Sequence, residues 1–149
     1  MLQAYQRLSH VHQAVNDSIT LDHGTRQKAR IKSRTDSGHE IGIFVERGHP
    51  LKVGEVLKTE CGQLIEVKGA AEPVITASSD DWLTFSKVCY HLGNRHTVLQ
   101  VGERWLRFKP DHVLTELCEM YGLTISDKEA VFEPESGAYG SHKGHSHAH

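Results

Sequence analysis

The sequence is poor in what most catalytic and thiolate-metal classes require. Its three cysteines, Cys61, Cys89 and Cys118, are an odd number, widely spaced and without a CxxC pair. Neither a disulfide framework nor a thiolate zinc site is therefore encoded. No excess of basic charge exists: 17 Lys and Arg stand against 19 Asp and Glu, for a formal net charge of -2, which lacks the electrostatic footprint of a nucleic-acid binder. Long hydrophobic runs are missing too. The longest, Ile41 to Val45, contains a glycine and falls far short of the roughly 18 residues of a membrane span. The opening MLQAYQRLSH has no basic segment leading into an apolar one, so a cytoplasmic protein without membrane attachment is expected. GxSxG, HExxH and GxxxxGK[ST] are all absent, and the Asp80-Asp81 pair reads as helix capping. The expectation is a protein that is not an enzyme. What is abundant is histidine, 12 in 149 residues.

The pattern of residues predicts an α+β chain in two small domains with a tail. Over 1–70 no stretch is periodic enough for a helix, and the region reads as β-rich. Arg26 to Arg34 alternates, Asp36-Ser37-Gly38 supplies a turn, and Ile41, Ile43 and Val45 alternate again, which together make a hairpin. Val56 to Thr59 and Gln63 to Lys68 flank a second turn at Glu60-Cys61-Gly62. Gly69 to Pro73 reads as a hinge. Beyond it comes a strand at Val74 to Ala77, then Ser79 with Asp80-Asp81 capping a helix that carries Trp82, Phe85, Cys89 and Leu92 and stops at Gly93-Asn94. A hairpin about Gly102-Glu103 follows. Pro110-Asp111 opens a second helix that Gly122 ends, and a last strand at Leu123 to Ile125 is continued at Ala130 to Phe132. The order β-α-β-β-α-β over 71–135 predicts a ferredoxin-like domain. Residues 136–149 read as a flexible His-rich tail.

Candidate ligands follow from the histidines. His142, His145, His147 and His149 are separated by small residues or lysine, a spacing that suits Ni(II), Cu(II) or Zn(II) without much discrimination. An expression tag is usually an unbroken run, and this segment is interrupted. His91 falls in the last helical turn, where a cation also complements the helix dipole. His112 opens the second helix. His96 lies past the first helix, at the mouth of the next strand. One imidazole makes no site, whereas two copies across a dyad can, so spacing alone leaves His96 open between ligand and surface residue. His10, His12, His23, His39 and His49 are scattered among polar residues and read as solvated. Cys89 and Cys118 read as core thiols, and nothing near Cys61 marks it as activated.

The segment Cys89-Tyr90-His91-Leu92-Gly93-Asn94-Arg95-His96 resembles the urease accessory protein E family, nickel metallochaperones of urease maturation. Gln6-Arg7-Leu8, Lys32-Ser33-Arg34, Asp111-His112-Val113-Leu114, Tyr121-Gly122-Leu123-Thr124 and Phe132-Glu133-Pro134-Glu135 with Gly137-Ala138-Tyr139 are similar to the same family. The resemblance implies a β-rich N-terminal domain similar to a chaperone peptide-binding module and a ferredoxin-like metal-binding domain that forms a homodimer. It implies that His96 meets its symmetry mate and shares a nickel ion, supplemented by the tail histidines. An accessory histidine pair in some members matches position 110 and His112, and here position 110 is Pro110. The implied partners are an accessory GTPase and the urease apoprotein with its maturation factors.

A carrier must bind Ni(II) tightly enough to capture it and loosely enough to release it. Neutral imidazoles shared between chains and tails meet that need, and uptake through them releases protons. Zn(II) and Cu(II) are expected competitors, copper above all. Two other readings differ in class. One is a nickel or zinc storage protein without a delivery partner, and the other a peptide-binding chaperone whose work lies in 1–70.

Overall fold

The computed structural model describes residues 1–9 and 14–136. The chain divides into two compact units, Met1–Ala70 and a second that begins at Ala71. The first holds β1 (Leu2–Leu8), β2 (Asp17–Leu21), α1 (His23–Arg26), β3 (Arg30–Arg34), β4 (Glu40–Phe44), β5 (Val56–Thr59) and β6 (Leu64–Gly69). Its strands form a six-stranded sheet in the order β2-β6-β5-β1-β4-β3. The pairs β1–β4 and β2–β6 are parallel, and the other pairs are antiparallel.

Alternating side chains supply the core of this unit. Ile19, Ile41, Ile43, Leu57, Ile65 and Val67 are fully buried and pack with Ile31 as one cluster, while Thr20 on β2 and Arg30 and Lys32 on β3 turn outward. The expected hairpin is present, with Arg30 opposite Phe44 and Arg34 opposite Glu40. Its turn uses Gly38 at φ 95, a left-handed conformation open to glycine at little cost. One expectation is corrected. Arg26 lies not on the hairpin strand but in α1, a single helical turn whose cap Asp22 accepts from the Thr25 N–H at 2.8 Å. The apparent alternation begins too early because a four-residue helix is too short to imprint a helical period. Arg7 ties β1 to the connection before β5, its Nε donating to Glu55 at 3.0 Å and its terminal nitrogens to the carbonyls of His49 and Pro50.

The second unit holds β7 (Ala71–Glu72), β8 (Ile75–Ser78), α2 (Trp82–Asn94), β9 (Gln100–Val101), β10 (Trp105–Phe108), α3 (His112–Met120), β11 (Thr124–Ser126) and β12 (Ala130–Val131). Its main sheet is antiparallel, in the order β11-β8-β10-β9. Phe85, Val88 and Leu92 of α2 and Leu114 and Cys118 of α3 share one core with Ala77, Leu106 and Phe108 of the sheet. Their spacing of three and four residues is the stripe that a helix must bury.

Several local expectations are revised here. Of Ser79, Asp80 and Asp81, expected together to cap α2, Asp81 is the cap itself, its carboxylate accepting from the Thr84 N–H at 3.1 Å. The span Ala130 to Phe132 does not continue β11. Ala130 and Val131 pair instead with Glu72 and Ala71 in a separate two-stranded sheet, so part of the expected hinge is strand. Such a short ladder needs only backbone groups, which small residues expose, and the fully buried Phe132 beside it holds the strand down. Among the described residues no helix is long and apolar enough to cross a membrane.

Candidate metal centre

The end of α2 is built differently from the sequence expectation. Gly93 and Asn94, expected to stop the helix, lie inside it, and the cap is Arg95. The chain then reverses through His96 at φ 57. The His96 N–H donates to the Gly93 carbonyl at 3.0 Å, and the Thr97 N–H donates to the Leu92 carbonyl at 3.3 Å. These two bonds are the Schellman closure of a helix, in which the residue after the cap takes the left-handed conformation and is usually glycine. α3 ends in the same way with glycine in that place: Gly122, at φ 82, donates to Glu119 at 2.9 Å, and Leu123 donates to Cys118 at 3.0 Å.

His96 thus occupies a glycine position, exposed to solvent. An L side chain there costs about 1 kcal/mol or more, and histidine is among the residues that tolerate it best. Arg104, at φ 60, is the other non-glycine residue in this region among the described residues, so what sets His96 apart is its imidazole and not its backbone alone. The geometry fixes where the imidazole is anchored, because the two closing bonds leave the His96 backbone no alternative.

The other sequence candidates separate in space and character. His112 is the first residue of α3, whose cap Asp111 accepts from the Leu114 N–H at 3.0 Å. Its Nε2 lies 2.9 Å from the Glu116 carboxylate one turn on, and both side chains are exposed. The sequence reading passed over Glu116, although the four-residue spacing on a helix would have found it. His91 is half-buried, its ring 5.5 Å from that of Tyr90 and 5.4 Å from that of Tyr121. That packing gives His91 a structural occupation. A shallow groove of about 510 Å³ runs between the end of α2 and the start of α3, lined by Arg95, Thr97, Val98, Pro110, Asp111 and Val113 among others. The immediate neighbours of His96 and of His112 therefore face one depression. His142, His145, His147 and His149 lie outside the described residues.

Among the described residues no group of three or more His, Cys, Asp or Glu side chains stands ready to hold a metal ion. The thiols of the second unit favour the neutral form. Burial pushes the Cys118 thiol up to about 11, and desolvation raises Cys89 as well. Cys61, by contrast, is exposed in the β5–β6 turn, and its thiol is held below its ordinary value chiefly by the Thr59 hydroxyl at 3.3 Å. No residue pattern signals that contact, which depends on the turn closing.

Known proteins resemble the chain along its whole length. Residues 1–70 match the UreE urease accessory protein, N-terminal domain, and residues 72–149 match the UreE urease accessory protein, C-terminal domain. The urease accessory protein UreE of Alteromonas mediterranea is 71% identical over 147 residues, covering 99% of this chain and 95% of the relative. That of Psychromonas ingrahamii is 70% identical over 151 residues, covering 100% and 99%. That of a Marinomonas species is 55% identical over 148 residues, covering 99% of each. Both units are matched and close relatives span both chains, so the chain belongs to the UreE urease accessory protein family.

Proposed function

We propose that the protein is a nickel metallochaperone of urease maturation, which captures Ni(II) through histidines and delivers it to the urease apoprotein. The observation that carries this reading is the exposed His96 held in a left-handed backbone that α3 gives to glycine. Membership of an accessory family supports work beside urease rather than hydrolysis of urea, and in this reading the protein carries and delivers without catalysing. The sheet order β11-β8-β10-β9, with a helix after the first strand and another after the third, supports the ferredoxin-like reading of the second domain.

A single exposed imidazole binds Ni(II) weakly, so the site draws further ligands from a second copy of the chain. An isologous dimer through the C-terminal domain sets His96 against its own mate, and His142, His145, His147 and His149 supplement the pair. His112 with Glu116 provides a lesser accessory clamp, while His91 stays with its tyrosines. Neutral imidazole ligates and imidazolium does not, so capture weakens as pH falls and releases protons as it proceeds. Zn(II) and Cu(II) compete for the same nitrogens. Hand-off in the cytoplasm runs through an accessory GTPase to the urease apoprotein complex.

Calorimetric titration of Ni(II) tests this reading, using the full chain, the chain ended after Gly140, and each with His96→Gly. Glycine keeps the backbone reversal and removes only the ligand. The expected result is one nickel per dimer in the shortened chain, lost with His96→Gly, and further nickel in the full chain. Unchanged binding in the shortened variant would move the site away from His96. Binding by the full chain alone would favour storage over delivery.

A further inference from the structure

Among the described residues β3 pairs with β4 alone and ends the six-stranded sheet. Along an antiparallel pair, residues that exchange backbone hydrogen bonds alternate with residues that do not. Two bonds fix the phase: the Val45 N–H donates to the Ala29 carbonyl, and the Thr35 N–H to the His39 carbonyl, each at 2.8 Å. Both pairs belong to the register that sets Arg30 opposite Phe44. Ala29, Ile31, Ser33 and Thr35 therefore bond to β4, and the N–H and carbonyl groups of Arg30, Lys32 and Arg34 point away from it. Near Arg34 the edge meets β2, where the Asp36 N–H donates to the Ser18 carbonyl at 2.7 Å. Among the described residues no other backbone hydrogen bond joins β3 to β2. Arg30 and Lys32 keep main-chain groups that a further strand can take.

The side chains of the same two residues are exposed on the face opposite Ile31. Phe44 stands across from Arg30, and Tyr5 stacks on Phe44 with ring centroids 4.9 Å apart and planes 15° from parallel. Tyr5 is 54% exposed. With Lys28, Arg30 and Arg47 these rings line a groove of about 750 Å³ at the start of β3. Cations beside a solvent-facing aromatic pair, along an open strand edge, discriminate among occupants. A second copy of this edge in antiparallel pairing brings Arg30 and Lys32 against like charges, which opposes it. A nucleic acid satisfies the cations but offers nothing in step with the backbone groups. An acidic strand satisfies both.

We infer that the β3 edge is a docking site for an extended acidic segment of a partner protein, added as a strand with its carboxylates against Arg30 and Lys32 and an apolar side chain against Tyr5 and Phe44. This goes beyond the metal reading and does not depend on it. Alternating carboxylates match the two-residue side-chain period of β3, and the intervening residues of the segment face the Ile31 side.

The test uses the full metal-free chain and fluorescence anisotropy with a labelled peptide of alternating Glu and Val ending in Phe, at physiological salt. The expected result is saturable binding that weakens about tenfold or more in the Arg30→Glu, Lys32→Glu double variant. Both positions are exposed, and an unchanged thermal melt shows the variant folded. A peptide methylated on the backbone nitrogens that face β3 keeps every charge and is expected to lose binding to the same extent. Equal binding of the methylated peptide would overturn strand addition, and tighter binding of an RNA oligonucleotide of equal charge would overturn the peptide assignment. Failure of the unmodified peptide to saturate the wild type would overturn the site itself.

Discussion

Replacing His96 by glycine separates the stability of the second unit from its capacity for metal. In the folded state His96 sits at φ 57, closing α2 through its N–H to Gly93 and the next N–H to Leu92. Relieving an L residue of that conformation returns about 1–2 kcal/mol. Glycine gives back about 0.5–1 kcal/mol of this through the greater freedom of its unfolded chain. The difference favours His96→Gly by about 0.5–1 kcal/mol. For a unit of about 70 residues that is a rise of about 2–8 °C in the melting temperature of the metal-free second unit. His96→Ala keeps the strain and is expected to melt close to wild type, and His96→Val to melt below it because a β-branched side chain is worse placed at positive φ. Differential scanning calorimetry reads these shifts, and Ni(II) titration of the same samples reads the ligand. The expected signature is a glycine variant more stable than the parent and poorer in nickel. A glycine variant that melts below His96→Ala would refute the argument that His96 occupies a glycine position at an energetic cost.

Three further outcomes are expected. Gly102→Ala sets a Cβ 2.0 Å from Cε2 of Trp105, so the β9–β10 turn must rearrange at a cost of about 1–3 kcal/mol, readable by urea denaturation. The Asp81 carboxyl is held below its ordinary value of 3.8, first by the Thr84 hydroxyl and then by the Thr84 N–H. Its contribution is complete above 3.8 and fades as pH falls through the lower folded value, so Asp81→Asn should flatten that part of the acid limb in a stability profile. Alkylation at mildly alkaline pH should label Cys61 first and leave Cys118 unmodified until the chain unfolds, since Cys118 is buried with its thiol at about 11; mass spectrometry of digested samples reports the order.

What could be read from the residues was whatever repeats or punctuates. The β3–β4 and β5–β6 hairpins announce themselves through alternation and through Gly38 and Gly62, both at positive φ. α2 and α3 follow from Trp82, Phe85, Cys89 and Leu92 and from Leu114, Leu117, Cys118 and Tyr121 recurring at helical spacing, although the structure buries Val88 and leaves Trp82 exposed. Long-range pairing leaves no such mark. The parallel contact of β1 with β4 and the union of β7 with β12 join segments far apart in sequence, which no local pattern specifies. The helix stop was misplaced for a related reason. Gly93 is the obvious terminator by residue type, but Leu92 must reach the core with Phe85 and Val88, and burying it carries the helix past Gly93 to Asn94. Tertiary packing moved the left-handed position onto His96, so the most informative feature of the site is the one that composition argued against.

The two proposed sites lie in different units, which makes them separable by experiment. Their chemistries share no residue: imidazole nitrogens at His96 in one, cations and open backbone groups at Arg30 and Lys32 in the other. Sites on separate units that share no partner residues act additively. His96→Gly should therefore remove the nickel held at the shared site of the second unit, keep what the tail histidines bind, and leave peptide affinity unchanged, while Arg30→Glu with Lys32→Glu lowers peptide affinity and leaves nickel capture unchanged. Assayed by urease activation in a strain lacking the endogenous protein, loss with the first variant alone assigns the essential step to metal. Loss with the second alone, at full nickel binding, would shift the essential step to the N-terminal unit and make metal capture secondary. Loss with either variant means that nickel must arrive on a carrier already docked to its recipient, a requirement that neither storage nor peptide holding by itself imposes.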